Sequence, residues 1–168
     1  MKKSQKPLPQ HVSDYLDWLD IEKGLSSKTQ ENYSRFLKRF LDWLKENKLS
    51  GLKPHELSPD HVWKYRIYLA RQTRSKKSSK PLKKATQSYY LITLRSLLSF
   101  FAERDILAIP PEKIKLPRDK SDKEVRFLSL EQLERLFSVP DTSSPQGLRD
   151  RAILETFFST GMRIAELV

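Results

Sequence analysis

The chain has 168 residues, of which 38% are hydrophobic and 32% are charged, and its formal net charge is +11 at pH 7. This composition indicates one polar-surfaced domain, or one domain and part of another. The absence of cysteine excludes disulfides and thiolate metal sites and is typical of a cytoplasmic location. No apolar run is long enough to span a membrane, and the first ten residues lack the apolar region of a signal peptide.

The charge is unevenly distributed. Residues 1–120 hold 26 Lys and Arg against 13 Asp and Glu, a net of +13, whereas residues 121–168 have a net of −2. Such asymmetry predicts a polyanionic partner, either nucleic acid or an anionic membrane. The membrane is disfavoured because no segment combines a basic face with a fully apolar one. The three histidines have no paired ligand spacing, so we predict no metal site.

Four helical patterns fill the first part of the chain, and no pattern predicts a strand. The second pattern is the strongest, and a serine at 26 or 27 is its predicted N-cap. The third begins at Ser58-Pro59, and the fourth runs from about Ala85 to Arg104. We expect these helices to enclose one core. Its predicted members are Val12, Tyr15, Leu16, Leu19, Tyr33, Phe36, Leu37, Phe40, Leu41, Leu44, Val62, Tyr65, Leu69, Tyr90, Leu94, Leu97, Leu98 and Phe101.

The remaining sequence predicts a linker and a second, shorter helical segment. Residues 1–9 are expected to be flexible, 10–109 to form the first domain, 110–125 to be a proline-started linker, and 126–168 to begin another domain. Ser129 to Gln132 matches a capping box, which predicts a helix to about Phe137. A further helix is expected from about Gly147 to Gly161. Extended, residues 117–125 could reach about 30 Å, enough to pass around a duplex.

Two groups of cations and hydroxyls precede or begin the second and fourth helices. Cations beside a helix N-terminus, with its unpaired N–H groups, suit phosphate binding. A merely solvated surface is the alternative, but two such groups in a strongly basic segment favour double-stranded DNA. The first candidate group is Ser27, Lys28, Thr29, Asn32, Arg35, Lys38 and Arg39. The second group begins in the stretch 71–84, which contains no acidic residue, and continues into the fourth helix. Its members are Lys76, Lys77, Lys80, Lys83, Lys84, Thr86, Gln87, Ser88 and Arg95.

Aromatic residues are frequent in the same helices, and two interpretations are open. Aromatic rings could stack on bases, as in single-strand binders. Their helical spacing instead favours packing in the core. The residues concerned are Tyr33, Phe36, Trp43, Trp63, Tyr65, Tyr89 and Tyr90.

The last nine residues contain a turn followed by an arginine. Gly161 can end one helix in the left-handed region, which would place Arg163 at the start of another. A held guanidinium suits a phosphate, although an exposed ion pair between Arg163 and Glu166 is the simpler interpretation. Thr160-Gly161-x-Arg163-x-x-Glu166-Leu167, preceded by residues 148–154, resembles the first catalytic motif of the tyrosine recombinases, the phage integrase family, in its Xer-like branch. Ala165 stands where that family often has Ser.

Other segments share the resemblance, in the same order along the chain. Residues 26–44 and 85–104 are similar to the second and fourth helices of the family's core-binding domain, and 128–136 to the entry of its catalytic domain. The resemblance implies an all-α fold: a four-helix SAM-like core-binding domain, a linker, and a partial helical start of the catalytic domain. It also implies DNA strand exchange through a 3′-phosphotyrosine, without cofactor or metal, by protomers that assemble as tetramers on paired sites.

By motif match, Arg163 would be the first catalytic arginine, and Glu166 would orient its surroundings. The family's lysine, His-x-x-Arg motif and tyrosine nucleophile follow this arginine and have no counterpart in the 168 residues. We therefore expect the chain alone to bind duplex DNA without cleaving it. A free-standing DNA-binding protein from a truncated mobile element is the alternative, and an interaction module for acidic proteins is a third. The reading frame downstream of codon 168 would distinguish the first two.

Overall fold

The computed structural model describes residues 1–71, 73–75, 78–117 and 127–167, with the backbone alone described for 73–75 and 78–80. The chain divides into two compact units, Met1–Lys120 and Ser121–Val168. The all-α class predicted from the sequence is confirmed. Among the described residues, no helix is both long and apolar enough to cross a membrane.

The described part of the first unit contains four α-helices and a short hairpin. The helices are α1 (Val12–Ile21), α2 (Ser27–Glu46), α3 (Pro59–Arg71) and α4 (Lys84–Glu103). A single 3-10 turn precedes α1 at Leu8–His11, and another precedes α3 at Pro54–Glu56. A third follows α4 at Pro111–Lys113. Strands β1 (Thr73–Ser75) and β2 (Ser78–Pro81) pair antiparallel between α3 and α4. No sequence pattern predicted this hairpin, because its strands are three and four residues long and carry no alternating apolar residues.

The core of the first unit consists of the apolar stripes of the four helices. Helix α4 supplies the largest share, and it packs against α1, α2 and α3. Aromatic edges and faces fill the space between helices, as in the contact of Phe40 with Tyr65 at 4.9 Å between ring centroids. Tyr15, Leu19, Leu37, Leu44, Leu69, Leu94, Leu97, Leu98 and Phe101 are at most 1% exposed. The helical periodicity therefore identified the buried faces correctly.

Both ends of the first unit contribute to this core. Leu8 is fully buried, and its backbone N–H donates to the carbonyl oxygen of Leu52 at 2.8 Å. Ile114, which follows the last 3-10 turn, is 2% exposed, and Leu116 packs beside the core. Parts of the predicted flexible N-terminus and of the predicted linker thus pack on the four helices. Residues 118–125 of that linker lie outside the described residues, and the domain boundaries remain predictions.

The second unit contains α5 (Leu130–Ser138), α6 (Pro145–Thr160) and α7 (Ile164–Leu167). The predicted capping box is present: the Gln132 N–H donates to Ser129 Oγ at 3.2 Å, and the Ser129 N–H donates to Gln132 Oε1 at 2.9 Å. Gly161 ends α6 in the left-handed region, with φ +66°, as the sequence predicted. Within 127–167, Gly147 is the single buried residue, so this unit has no apolar core comparable with that of the first.

Candidate nucleic-acid interface

The start of α2 presents polar groups that are only weakly engaged. Ser26 is the N-cap, and its side chain makes no capping hydrogen bond to the helix backbone. Its hydroxyl instead lies 3.0 Å from the Thr29 hydroxyl. Since the first N–H groups of a helix need external acceptors, this end can receive an anion. Ser27 and Lys28 are exposed beside it.

The cations of α2 have exposed, exchangeable partners. Lys28 Nζ lies 2.7 Å from Glu31 Oε2, and this hydrogen bond and charge hold the pKa of Glu31 below its ordinary value. Arg35 donates to Asn32 Oδ1 at 3.0 Å. Exposed pairs of this kind contribute little to stability because water screens them. A phosphate oxygen could therefore replace Glu31 or Asn32 as the acceptor.

Two further cations of the α2 group differ in their surroundings. Lys38 is exposed one turn after Arg35. Arg39 is half-buried, and its guanidinium carbon lies 5.6 Å from the centroid of the Tyr68 ring on α3. Arg39 thus contributes to packing between α2 and α3, which competes with its predicted contact to DNA.

The start of α4 repeats the arrangement found on α2. Lys83 is the exposed N-cap, and again no side chain caps the helix. Thr86 and Ser88 are half-buried in the first turns. The side-chain amide Nε2 of Gln87 donates to the carbonyl oxygen of Leu82 at 2.9 Å. This hydrogen bond fixes the residues just before α4 against the first turn of the helix. Lys84 is exposed, and Arg95 is half-buried farther along α4.

An aromatic cluster joins the middle of α2 to the first two turns of α4. Phe36 of α2 stacks on Tyr89 of α4 with 5.9 Å between ring centroids and 8° between ring planes. It also meets the Tyr90 ring edge-on at 5.2 Å. Helices α2 and α4 pack together here, so that Arg35 of the first predicted group and Ser88 of the second each neighbour a residue of this contact. The start of α2 lies elsewhere, where Gln30 donates to Asp20 of α1 at 2.7 Å. No spacing along the chain could predict the contact between Phe36 and Tyr89.

The predicted residues of the basic loop are only partly covered by the structure. Lys76 and Lys77 lie outside the described residues. Lys80 belongs to β2, where the backbone alone is described. Their roles in DNA binding stay predictions.

The aromatic residues separate into two sets. Trp43 and Tyr65 are at most 3% exposed, which confirms core packing for them. Tyr89 and Trp63 are each 56% exposed, so core packing was the wrong interpretation for these two. Helical spacing missed this because an aromatic residue at the edge of an apolar stripe fits the same period as one at its centre.

Arg163 and Glu166 form a local pair at the start of α7. The backbone N–H of Arg163 donates to Glu166 Oε2 at 2.7 Å, and its guanidinium Nη1 lies 3.1 Å from Glu166 Oε1. The Arg163 side chain is 85% exposed. Glu166 therefore restrains both the backbone and the guanidinium of Arg163. The pair matches the predicted geometry, while its catalytic role is untested.

The tyrosines of the core are poor candidates for a nucleophile. Tyr15 and Tyr65 are fully buried, and burial raises the pKa of both phenols. Burial also raises the pKa of Tyr68. An enclosed phenol cannot reach a phosphodiester. Across the described ranges, no group of three or more His, Asp or Glu side chains could hold a metal ion.

Comparison with known proteins supplies the family. The model of the phage integrase N-terminal SAM-like domain matches residues 12–105. The chain is 31% identical to tyrosine recombinase XerD of Lacticaseibacillus casei and 32% identical to tyrosine recombinase XerC of Pelotomaculum thermopropionicum. Each match covers 94% of this chain and 50% of the relative. The chain thus spans about half the length of these curated relatives.

A solved structure supports the fold alone. The N-terminal domain of a phage integrase/site-specific recombinase from Haloarcula marismortui has a TM-score of 0.56 and 19% identity to this chain. The match covers 68% of this chain and all of that domain. Together with the family match over α1 to α4, this defines a SAM-like helical domain. The chain belongs to the phage integrase family of tyrosine recombinases, as its motifs predicted.

Proposed function

We propose that this chain is the DNA-binding portion of a site-specific tyrosine recombinase, and that residues 1–168 bind duplex DNA without cleaving it. The observation that supports the proposal is that α2 and α4 each begin without a side-chain cap and carry exposed cations there, Lys28 on α2 and Lys83 on α4. They belong to a segment, residues 1–120, with a net charge of +13.

Phosphate binding would use both helix starts. Lys28 and Arg35 on α2 and Lys83 on α4 supply charge, while the uncapped backbone N–H groups supply directed donors. Binding releases the counterions condensed on DNA. If six phosphates are neutralised, the logarithm of the affinity should fall with the logarithm of salt concentration at a slope of about −5.

Arg163 has a separate proposed role in strand exchange. In the complete recombinase it would hold a non-bridging phosphate oxygen as negative charge develops, and Glu166 would orient it. The pairing of both Arg163 groups with Glu166 supports this positioning role. Because one arginine supplies neither a nucleophile nor proton transfer, we expect no covalent DNA adduct from these 168 residues. Assembly with other recombinase protomers on paired sites belongs to the same proposal.

Charge reversal on the two helix starts tests the DNA-binding proposal. The double variant Lys28→Glu and Lys83→Glu should weaken binding to a labelled duplex at least tenfold. Its salt slope should fall in magnitude by about 2, since each lost phosphate contact removes roughly one unit. Fluorescence anisotropy over a salt series measures both quantities.

Two controls accompany this experiment. Lys45→Glu with Lys113→Glu makes the same change in net charge, and Lys45 lies about 25 Å along α2 from Lys28. This control should retain most of the affinity and the slope, and Arg163→Ala should bind within twofold of the wild type. An equal loss of affinity in the two double variants would show that net charge alone determines binding, and it would contradict the proposed interface.

A further inference from the structure

Helix α3 carries two apolar stripes, of which one faces the core. The buried stripe is Val62, Tyr65 and Leu69. The second, which we call the outer stripe, is Trp63, Ile67 and Ala70. Trp63 is 56% exposed, Ala70 is exposed and Ile67 is half-buried. Because residues at i, i+4 and i+7 share one side of a helix, the outer stripe is a continuous apolar surface that the core does not use.

A cleft opens on each side of the outer stripe. One cleft, of about 220 Å³, lies between α3 and α4 and is lined by Leu91 and Pro117. The other, of about 320 Å³, lies between α3 and the end of α2 and is lined by Trp43 and Tyr68. Ile67 lines both clefts. A ridge between two grooves is the surface on which the side chains of a partner helix can pack.

Cations border the outer stripe on both sides. Since successive helix residues are turned by about 100°, Lys64 and Arg71 lie along one edge of the stripe and Arg66 along the other. The guanidinium carbon of Arg66 lies 5.5 Å from the Trp63 ring centroid. Lys64 Nζ pairs with Asp60 at 2.7 Å, and both side chains are exposed, so another carboxylate can replace Asp60. Among the described residues that line the two clefts, none is Asp or Glu.

Two carboxylates of α2 limit where an acidic partner can lie. Burial raises the pKa of Tyr68, and the charges of Glu46 and Asp42 raise it further, which places both carboxylates near the larger cleft. The acidic groups of a partner are therefore favoured over α3, beside Lys64 and Arg71, rather than over α2.

The start of α3 disfavours phosphate, in contrast to the starts of α2 and α4. The His61 N–H donates to Ser58 Oγ at 3.3 Å, so a side chain already occupies this helix end. Asp60 is exposed in the first turn, where its charge repels a phosphate. Duplex DNA also has no projecting apolar side chain that could fill the two clefts. These observations favour a protein partner that combines apolar side chains with carboxylates.

We propose that the outer stripe of α3 is a docking surface for an acidic amphipathic helix of another protein. Apolar residues of that helix, spaced at i, i+4 and i+7, pack beside Trp63 and Ile67 and enter the two clefts. Its carboxylates pair with Lys64, Arg66 and Arg71. The inference goes beyond the proposed function, because it requires no DNA and uses none of the predicted DNA contacts on α2.

Designed peptides test this surface on the full chain. The probe is a fluorescein-labelled peptide of about 14 residues, with leucines at i, i+4, i+7 and i+11 and glutamates at most other positions. A scrambled peptide of the same composition controls for attraction between its charge and the basic first unit. A peptide with lysine in place of glutamate controls for apolar contact alone. Fluorescence anisotropy should show at least about tenfold tighter binding of the glutamate peptide than of either control.

Tryptophan quenching locates the bound peptide. Trp63 is 56% exposed, whereas Trp18 and Trp43 are each 3% exposed, so acrylamide quenches mainly Trp63. The peptides contain no tryptophan. The unlabelled glutamate peptide at saturation should reduce the quenching, and the scrambled peptide should not.

Two variants assign the binding to the outer stripe and its cations. Trp63→Ser should weaken binding of the glutamate peptide at least about tenfold, because it removes the large exposed ring of the stripe. Arg71→Glu should weaken it by placing a carboxylate against carboxylates. The matched controls are Ile21→Ser, at an 80% exposed position on α1, and Lys3→Glu, which makes the same change in net charge at an exposed N-terminal residue. Both controls should bind within twofold of the wild type, and far-UV circular dichroism would verify each fold.

Other occupants of this surface would give other results. Equal binding of the glutamate and scrambled peptides would show that net charge alone determines binding. Protection of Trp63 by single-stranded oligothymidylate, but not by the glutamate peptide, would make nucleic acid the occupant. Dimerisation in sedimentation velocity that Trp63→Ser abolishes would make a second copy of the chain the occupant. Each of these outcomes would overturn the inference and leave duplex binding, which is measured without the peptides, unaffected.

Discussion

His11 is a histidine enclosed by the first unit just before α1. It is 4% exposed, its ring meets Phe101 edge-on at 5.1 Å, and its Nε2 lies 3.0 Å from Ser4 Oγ. Burial lowers the pKa of His11 below its ordinary value of 6.5, more than the charge of Asp14 raises it. The folded protein therefore holds this imidazole neutral at neutral pH.

This burial predicts a pH dependence of stability. As the pH falls below 6.5, His11 takes up a proton in the unfolded chain before it does so in the folded chain. The contribution of the neutral, buried His11 to the free energy of unfolding is therefore fully present above pH 6.5. That contribution is lost progressively as the pH falls through the depressed pKa of the folded state. In the His11→Gln variant, the free energy of unfolding should fall less between about pH 7 and pH 5 than in the wild type. Urea unfolding followed by tryptophan fluorescence measures this difference, and parallel curves for both proteins over that range would contradict it.

Single residues also show where sequence patterns stop being informative. Helical spacing placed Trp43 and Tyr65 in the core correctly, but it placed Tyr89 there as well, and Tyr89 is 56% exposed. The period of a helix identifies a face, whereas exposure depends on which neighbouring helix covers that face. For Tyr89 the neighbour is Phe36, which covers one side of the ring and leaves the rest accessible.

Helix α4 is the element that holds the first unit together. It contacts the other three helices, and seven of its residues are buried. Leu94, Leu97, Leu98 and Phe101 were predicted because they repeat with the helical period. Leu91 and Phe100 are also buried but were not among the predicted core residues. The partners of α4 were not predictable, since the same stripe could pack against any other apolar stripe of similar length.

Removal of one α4 core side chain should unfold the first unit more readily. Leu97 is fully buried, so Leu97→Ala should lower the free energy of unfolding by about 2–5 kcal/mol through lost burial and the cavity left behind. Tryptophan fluorescence in a urea titration measures it, because Trp18, Trp43 and Trp63 all belong to this unit. Leu148→Ala is the matched control: this leucine of α6 is 56% exposed, and its loss should leave the fluorescence transition unchanged. An equal shift in both variants would show that burial does not set the effect.

The two units of the whole chain differ in what stabilises them. The first has a continuous apolar core from Leu8 to Ile114. The described part of the second, 127–167, leaves Phe158 at 60% and Leu130 at 76% exposed, and its Phe137–Phe158 contact at 5.6 Å is a local one. About 40 residues without disulfide or metal are near the lower limit for an independent core.

This difference predicts that the chain does not unfold in one step. Far-UV circular dichroism, which reports helices of both units, should lose part of its signal at lower urea concentration than tryptophan fluorescence, which reports the first unit alone. The early phase should correspond to α5 and α6. Coincident transitions from the two probes would contradict the prediction and show that the units unfold together.

The sequence by itself determined the family, the helical class, the buried faces of α1 to α4, the Ser129 capping box and the Gly161 turn. These follow from local chemistry: side-chain period, capping hydrogen bonds, and the freedom of glycine at φ +66°. The tertiary structure decided what local chemistry cannot. It packed both ends of the first unit into its core, stacked Phe36 of α2 on Tyr89 of α4, and left Tyr89 and Ile92 exposed. Those outcomes depend on which elements meet in space, and no spacing along the chain encodes that.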